Sequence, residues 1–548
     1  MKRFSPFLIG VSMFLFSTLL ARAQTFPTPD YFHRLVHEPA SPAQLPAPEG
    51  LRDYVVGGKL RLSLADAIRL ALRNNTEVRL NELQVEETAF AVQRAYQPFD
   101  PVATSTFSSS RAKSPTYTQL QGATTLSDLE QQAQFGYSQT FQTGTNYQVS
   151  FNASKSSTNS IFYFFNPSIS ANLNLSITQP LLRNRGFVAN RGPILIARRN
   201  LQQSQATFEG QINDSVQQVV NQYWAVVQAR ENLEVFRKSQ ELAEATYQQN
   251  KRALELGALP PLDIYRSEAE VATRRVVVIQ AEYALKQAED QLRRMLGTNQ
   301  DPYIRALDLE LVEKAEPSGE LFTIDQAEAL KRGLERRPEL EALRQQLAAS
   351  DTSIRLAHNH LLPDLSLTGL YSSNGLGGNQ FDISSTPPVL IARGGLGDAL
   401  GQLFRFNYPT YGFNIRLNLP IKNRAAGADL GNALVTKRRG LYLMRQLQEN
   451  LTLEASNAVH QLEQAKTSMA ATKVARDLAE KNLDAEERKF QLGAQTIFFV
   501  LQAQTQLAQA ELSLLQAQVG YQLAVTAVNH AMGTLLDRHG IRIAEAVR

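Results

Sequence analysis

A chain of 548 residues, 43% hydrophobic and 20% charged, is long enough for several ordinary domains. Gln, Ala, Asn and Ser are too frequent for a single compact core. The chain has no cysteine, which excludes disulfides, thiolate metal sites and a lipid-modified N-terminal cysteine. Its net charge of +4 comes with no dense basic patch and gives no ground for nucleic-acid binding.

Residues 1–23 read as a cleavable secretory signal: Met1-Lys2-Arg3, an apolar run from Phe7 to Leu20, then Ala21-Arg22-Ala23 before Gln24. Lys2, Arg3 and Arg22 leave with it, so the mature chain is close to neutral. Residues 24–61 form a proline-rich N-terminal segment, with Pro27, Pro29, Pro39, Pro42, Pro46 and Pro48 expected to hold an extended tether. No apolar run after Leu20 approaches the roughly 20 residues of a transmembrane helix. If the exported chain is held in a membrane, strands must hold it.

The rest is a tandem repeat. The offset that carries Gly257 onto Gly493 also lays Leu242-Ala243-Glu244 on Leu478-Ala479-Glu480 and Leu296-Gly297-Thr298 on Met532-Gly533-Thr534. A second, larger offset lays Ala65–Val78 on Ala327–Leu340 and Pro101 on Pro363. The copies cover residues 62–298 and 324–534, joined by a linker at 299–323 and followed by a tail at 535–548. The first copy carries extra residues in its middle.

In the first copy, at about 101–181, the pattern is period two. Ile169, Ala171, Leu173, Leu175 and Ile177 alternate with uncharged polar residues, and Phe135, Tyr137, Tyr147, Val149 and Phe151 behave alike. In the second copy, at about 363–421, Tyr411, Phe413, Ile415, Leu417 and Leu419 alternate with Thr410, Gly412, Asn414, Arg416 and Asn418. Runs of about ten residues with one apolar and one wet face are what a membrane-spanning strand requires. The lipid-facing set is expected to include Leu173, Leu175, Ile177, Phe413, Ile415 and Leu417. Four strands are expected in the first copy and two in the second, too few for one chain to enclose a pore, since about eight already fill with side chains.

Long helical hairpins follow at about 190–297 and 424–533. Their descending arms, some 65 residues at 1.5 Å each, are rods of about 100 Å. Ile212, Val216, Val219, Tyr223 and Val226 mark one seam, and Val500, Ala503, Leu507, Ala510, Leu514, Ala517, Tyr521, Ala524, Val528 and Ala531 another, with small and large residues alternating as close antiparallel packing demands. The "LGA" stretches Leu256-Gly257-Ala258 and Leu492-Gly493-Ala494 are read as the hairpin tips, each glycine a helix C-cap.

These features together resemble the TolC-like outer-membrane efflux factors. The marks are Gln179–Gly186 ("QPLLRNRG"), Leu419–Ala433 ("LPIKNRAAGADLGNA"), Leu362–Gly369 ("LPDLSLTG") and the two tips. The resemblance implies a mainly α fold with transmembrane β, in two repeats of helix, β-hairpin and long helical hairpin. Three copies would share one outer-membrane barrel continuous with a periplasmic helical barrel. It further implies a passive exit duct for small molecules, with tips docking a periplasmic adaptor that reaches an inner-membrane pump, lipid around the barrel, and no cofactor or nucleic acid. Two departures stand out. The hairpin 133–153 about Thr143–Asn146 is additional, and either widens the barrel or lies outside it. The tip lacks the acidic ring of some members: Phe499 and Gln502 stand there, leaving Asp263, with Arg266 one turn on, as a candidate electrostatic tie beside an apolar gate at Phe499. Protein export through the same architecture and a strand-anchored coiled-coil adhesin are the alternative readings.

Other signals are weak. Gly395, Gly397 and Gly401 miss the spacing of a dinucleotide loop and read as an exposed loop. His358 and His360 lack a third clustered ligand. Trp224, the only tryptophan, is expected to pack. No nucleophile elbow, phosphate loop or paired-carboxylate motif occurs, so no reaction is assigned.

Overall fold

Two short strands, β1 (Val55–Val56) and β2 (Lys59–Leu62), precede a capping box in which the Asp66 amide donates to Ser63 Oγ at 3.3 Å and the Ser63 amide to Asp66 Oδ2 at 3.4 Å. That satisfies free N–H groups at the start of α1 (Leu64–Asn74), and α2 (Thr76–Arg94) follows after an Asn75 cap. The structure, a computed structural model, describes residues 45, 48–118, 121–256, 261–317, 319–385 and 387–541. The signal segment, most of the proline-rich tether, the tip residues Gly257 and Ala258 and the end of the tail lie outside the described residues. From Gly50 onward the chain folds as one unit.

The first copy then places four strands in succession: β3 (Val102–Pro115), β4 (Thr125–Thr140), β5 (Asn146–Thr158) and β6 (Phe165–Pro180). Helix α3 (Gly186–Glu255) has 70 residues and α4 (Pro261–Met295) has 35. The linker holds β7 (Asp308–Leu311), which pairs in parallel with β2 and completes a three-stranded sheet β1-β2-β7. The second copy gives α5 (Gln326–Arg336), α6 (Pro338–His360), β8 (Asp364–Asp382), β9 (Val389–Ala392), α7 (Leu396–Phe404), β10 (Tyr408–Asn418), α8 (Arg424–Gln491, 68 residues) and α9 (Ile497–Ala531, 35 residues).

Each long helix is twice the length of its returning partner. The returning helix therefore covers only the half near the tip. The other half of α3 packs against α2 and α6, and that of α8 against α5 and α6. The expected seam of α3 is the buried one: Ile212, Val216, Val219, Tyr223 and Val226 are all within the core, each worth about 1.5–3 kcal/mol over exposure for the larger side chains. Trp224 is buried beside Tyr223, ring edge to face at 5.9 Å between centroids. On α9 the seam is buried at Val500, Ala503, Tyr521, Ala524, Val528 and Ala531. Between them Leu515 and Val519 are buried, while Leu507, Ala510, Leu514 and Ala517 are only half-covered. Small residues from both helices, Ala455 and Ala458 of α8 and Ala524 and Ala531 of α9, share one buried cluster, as close packing of α8 on α9 requires.

The large sheet runs β10-β8-β6-β5-β4-β3, antiparallel throughout, with β9 hung on the far end of β8. This answers one question and corrects two expectations. The additional hairpin β4–β5 lies within the sheet, paired along its whole length between β3 and β6. The six strands on the main path are 11 to 19 residues long rather than about ten. The glycine-rich stretch after Val389 is no exposed loop. It forms β9 and α7, and α7 lies on the sheet with Ala399 and Leu403 against Ala171 and Leu173. Glycine is needed beneath it: a Cβ at Gly375 would come within 1.9 Å of the Ala399 carbonyl oxygen.

Candidate transport surfaces and gate

The register places the alternating residues. Ala171 pairs with Ala153 and Gly375, Leu173 with Phe151 and Ser373, Leu175 with Val149 and Tyr371, Ile177 with Tyr147 and Gly369. Phe413 lies opposite Gly369, Ile415 opposite Leu367 and Leu417 opposite Leu365. Directly paired residues share a face, so Leu173, Leu175, Ile177, Phe413, Ile415 and Leu417 all lie on one side of one sheet. The other side carries Thr104, Gln134, Asn152, Asn172, Asn174, Asn374 and Asn414. Leu173 is the exception in setting, because α7 packs on it. Both end strands, β3 and β10, are exposed along their entire length.

The second tip is a Schellman turn: the Gly493 amide donates to Phe490 O at 2.9 Å and the Ala494 amide to Lys489 O at 2.9 Å, with Gly493 at φ +72°. Leu492 beside it is 84% exposed, and Leu256 at the first tip is also 84% exposed. Two isolated leucines this bare at the ends of paired helices have no internal packing role.

Near the tips, Phe499 is 43% exposed and stacks edge to face on Phe498 at 5.5 Å. Arg266 and Gln502 are exposed and line a groove of about 770 Å³ between α4 and α9, with Phe498 and Thr505. Asp263 lies in the first turns of α4, and its side chain falls outside the described residues. The cation that ties these helices is Arg274, which the sequence did not single out. It is buried, pairs with Glu270 at 2.7 Å, and donates to Ser239 on α3 and to Thr505 Oγ1 on α9 at 2.9 Å. Deeper polar ties accompany it: Asn250 Nδ2 donates to Ser267 Oγ at 2.7 Å, and Gln504 Nε2 to Thr246 Oγ1 at 3.1 Å.

A second missed constellation lies where the two copies meet. Arg337, at the start of α6, contacts Glu454 on α8 at 3.0 Å, Glu339 at 3.0 Å and the His530 carbonyl on α9 at 3.0 Å. The His530 ring faces Asp214 on α3 at 2.7 Å and Glu454 at 3.1 Å. Burial alone depresses His530, but the Asp214 and Glu454 carboxylates outweigh it and hold the imidazole above its ordinary value. Asp214 is held low, chiefly by its hydrogen bond to His530. Glu454 ends below its ordinary value although burial pushes the other way. No periodic signal marks such residues, because each is a lone polar group on an otherwise apolar helix face.

Among the described residues no group of His, Cys, Asp and Glu is placed to hold a metal ion, and no helix is long and apolar enough to cross a membrane. His358 and His360 are exposed.

This arrangement of paired helical hairpins beneath a sheet with opposed apolar and polar faces is that of solved outer-membrane channels. The fold matches the channel OprN (TM-score 0.59, 16% identity, covering 86% of this chain and 90% of that one). It also matches the CmeC channel of Campylobacter jejuni (TM-score 0.61, 16% identity, 90% and 94%). In sequence the chain is 24% identical over 382 residues to the outer membrane protein TolC of Vibrio cholerae, covering 68% of this chain and 78% of that one. It is 25% identical over 278 residues, half of each chain, to the toluene efflux pump outer membrane protein TtgC of Pseudomonas putida. The family model for outer membrane efflux proteins matches residues 67–298 and 329–534. The chain belongs to the outer membrane efflux protein family, and is a transport protein rather than an enzyme.

Proposed function

We propose that three copies of this chain close a single outer-membrane barrel above a periplasmic tunnel of helices, and that the assembly is the passive exit duct of a tripartite pump for small molecules. The observation that carries this reading is the sheet: six strands with one apolar face, ending in two fully exposed edges. Open edges are untenable in hydrocarbon, where every backbone group needs a partner. Six strands cannot enclose a lumen, whereas six from each of three copies make eighteen, a number that leaves a water-filled channel. The helix-side ends of the strands support closure. They step from the row of Asp364 at β10 to the row of Leu370 at β3 across five strand pairings, and a stagger of this size corresponds to strands tilted by about 40°, within the range of closed barrels. On this reading the additional hairpin widens the barrel. Small-molecule cargo is carried over from the toluene and antibiotic efflux named for relatives in Pseudomonas putida.

The bare tips are the surface for the adaptor's own helical hairpin, which can approach closely where residues are small and apolar. Ala258→Glu with Ala494→Glu keeps both caps and places six charges around a trimeric tip ring. Trimers are expected to reach the outer membrane in normal amount while adaptor crosslinking and efflux both fall at least about tenfold; unchanged crosslinking removes the docking role. Phe499 from three copies forms the apolar constriction of the tunnel. Phe499→Ala is expected to raise single-channel conductance in planar bilayers without loss of trimer, and equal conductance would leave Phe499 as packing between helices. The duct as a whole is tested by the wild type, whose purified trimers should pass steady ionic current; silent trimers would favour an adhesin.

A further inference from the structure

We propose that the lipid-facing side of the sheet carries, just beyond its apolar band, a belt of cations that binds the phosphate-bearing headgroups of outer-leaflet lipid. The inference rests on the reading above, in which the apolar face meets lipid and the helices lie on the periplasmic side. The register defines the belt. Arg111 pairs with Leu129, Lys113 with Ser127 and Lys155 with Gln131 and Ile169, all positions on the same face as Phe135, Phe151 and Leu173. Arg111 lies as far beyond Val102, the helix-side end of β3, as Lys155 lies beyond Asn146, the helix-side end of β5. In a barrel whose strand ends are level, the two cations therefore stand at one height. Below them the face is apolar or uncharged, down through Phe107, Ala133 and Ala153. Arg111, Lys113 and Lys155 are exposed, and among the ion pairs of the described residues none involves them.

Across β3 to β6 the two signs of charge lie on opposite faces. On β3 to β6 the apolar side holds no carboxylate, and the only two acids, Asp128 and Glu130, occupy the opposite side at the same end. Cations that served only solubility would have no reason to segregate from acids in this way. Arg111 and Lys155 lie two strands and two residues apart, about 12 Å by sheet spacing, within joint reach of two phosphates on one headgroup. On β6 and β8 the same level is covered by α7, so the basic surface is confined to β3–β5. Long side chains rooted above an apolar band can extend along it and keep their charges at the headgroup level.

The test uses full-length trimers in nanodiscs containing lipid A with both phosphates, or the same lipid dephosphorylated, and counts retained lipid by native mass spectrometry. The wild type is expected to prefer the phosphorylated lipid by at least about tenfold. Arg111→Gln with Lys113→Gln and Lys155→Gln should abolish the preference, and Arg416→Gln, on the polar side of β10, should leave it intact. A triple variant that inserts, conducts and keeps the wild-type preference overturns the belt alone. Loss of trimer with lipid preference retained would assign these cations to contact between copies and also overturns it. A wild type that neither inserts nor conducts fails the exit-duct reading itself, and the belt with it. Should the triple variant not fold, Arg111→Gln singly must still weaken the preference severalfold.

Discussion

Arg337→Met is expected to destabilise the assembled protein by about 2–4 kcal/mol, below the cost of breaking a wholly buried pair because Glu454 is partly wet. Arg337 is the cation that holds Glu339, Glu454 and the His530 carbonyl together. Methionine fills the space but leaves those oxygens without their donor. Chemical unfolding of the purified protein measures the loss. The neighbouring Arg336, paired with Asp537 on the surface, serves as control, and Arg336→Met should cost less than about 1 kcal/mol. Equal losses would show that the cluster is ordinary surface electrostatics.

The same cluster sets a pH dependence. Because His530 is raised by Asp214 and Glu454 against the effect of its burial, its protonated form favours the folded state. That contribution is complete below about pH 6.5, the ordinary histidine value, and is lost as pH rises through the higher folded value. Asp214 and Glu454 are lowered, so their share is present above the ordinary carboxylate range and is lost in acid. Stability should thus decline from pH 6 towards pH 8, and His530→Gln should flatten that decline. A slope unchanged in the variant would place its origin elsewhere.

Ile415→Arg is expected to prevent stable membrane insertion, at about 2–4 kcal/mol for each copy if the residue sits near the midplane. Asn414→Arg, one residue along, places the same charge on the polar side and should insert normally. The comparison isolates orientation from residue type, since both sites lie in the exposed strand β10. Heat-resistant trimer in the membrane fraction reports the outcome, and equal loss in both variants would remove the assignment of faces. Leu173, on the same side, is a poorer probe, because a charge there also unseats α7.

The apolar side of the sheet and the buried helix seams were legible in the sequence wherever a local period reports on them. Period-two alternation named the residues of the apolar side, and all of them but Leu419, which lies just past the end of β10, fall on one face once the strands pair. Steps of three and four residues named the buried seam of α3. The tip glycine at 493 was recognisable because a helix ending in Leu-Gly requires a positive φ that glycine alone takes cheaply. What periodicity cannot carry is partnership between distant segments. Nothing local to 133–153 says whether that hairpin joins the sheet or leaves it; the pairing of β5 with β6 and of β6 with β8 decides that. The stretch after Val389 looks like a loop because its glycines are frequent, yet those of β8, Gly375 and Gly377, make the bed on which α7 lies. Arg274 and the Arg337–His530 cluster draw on helices from both copies, and their worth comes from burial and from partners on distant segments: Thr505 for Arg274, Glu454 for Arg337 and Asp214 for His530. Composition and period are properties of neighbours along the chain and were readable from it; register, cover and buried charge pairing are properties of neighbours in space, and only the folded chain brings those residues together.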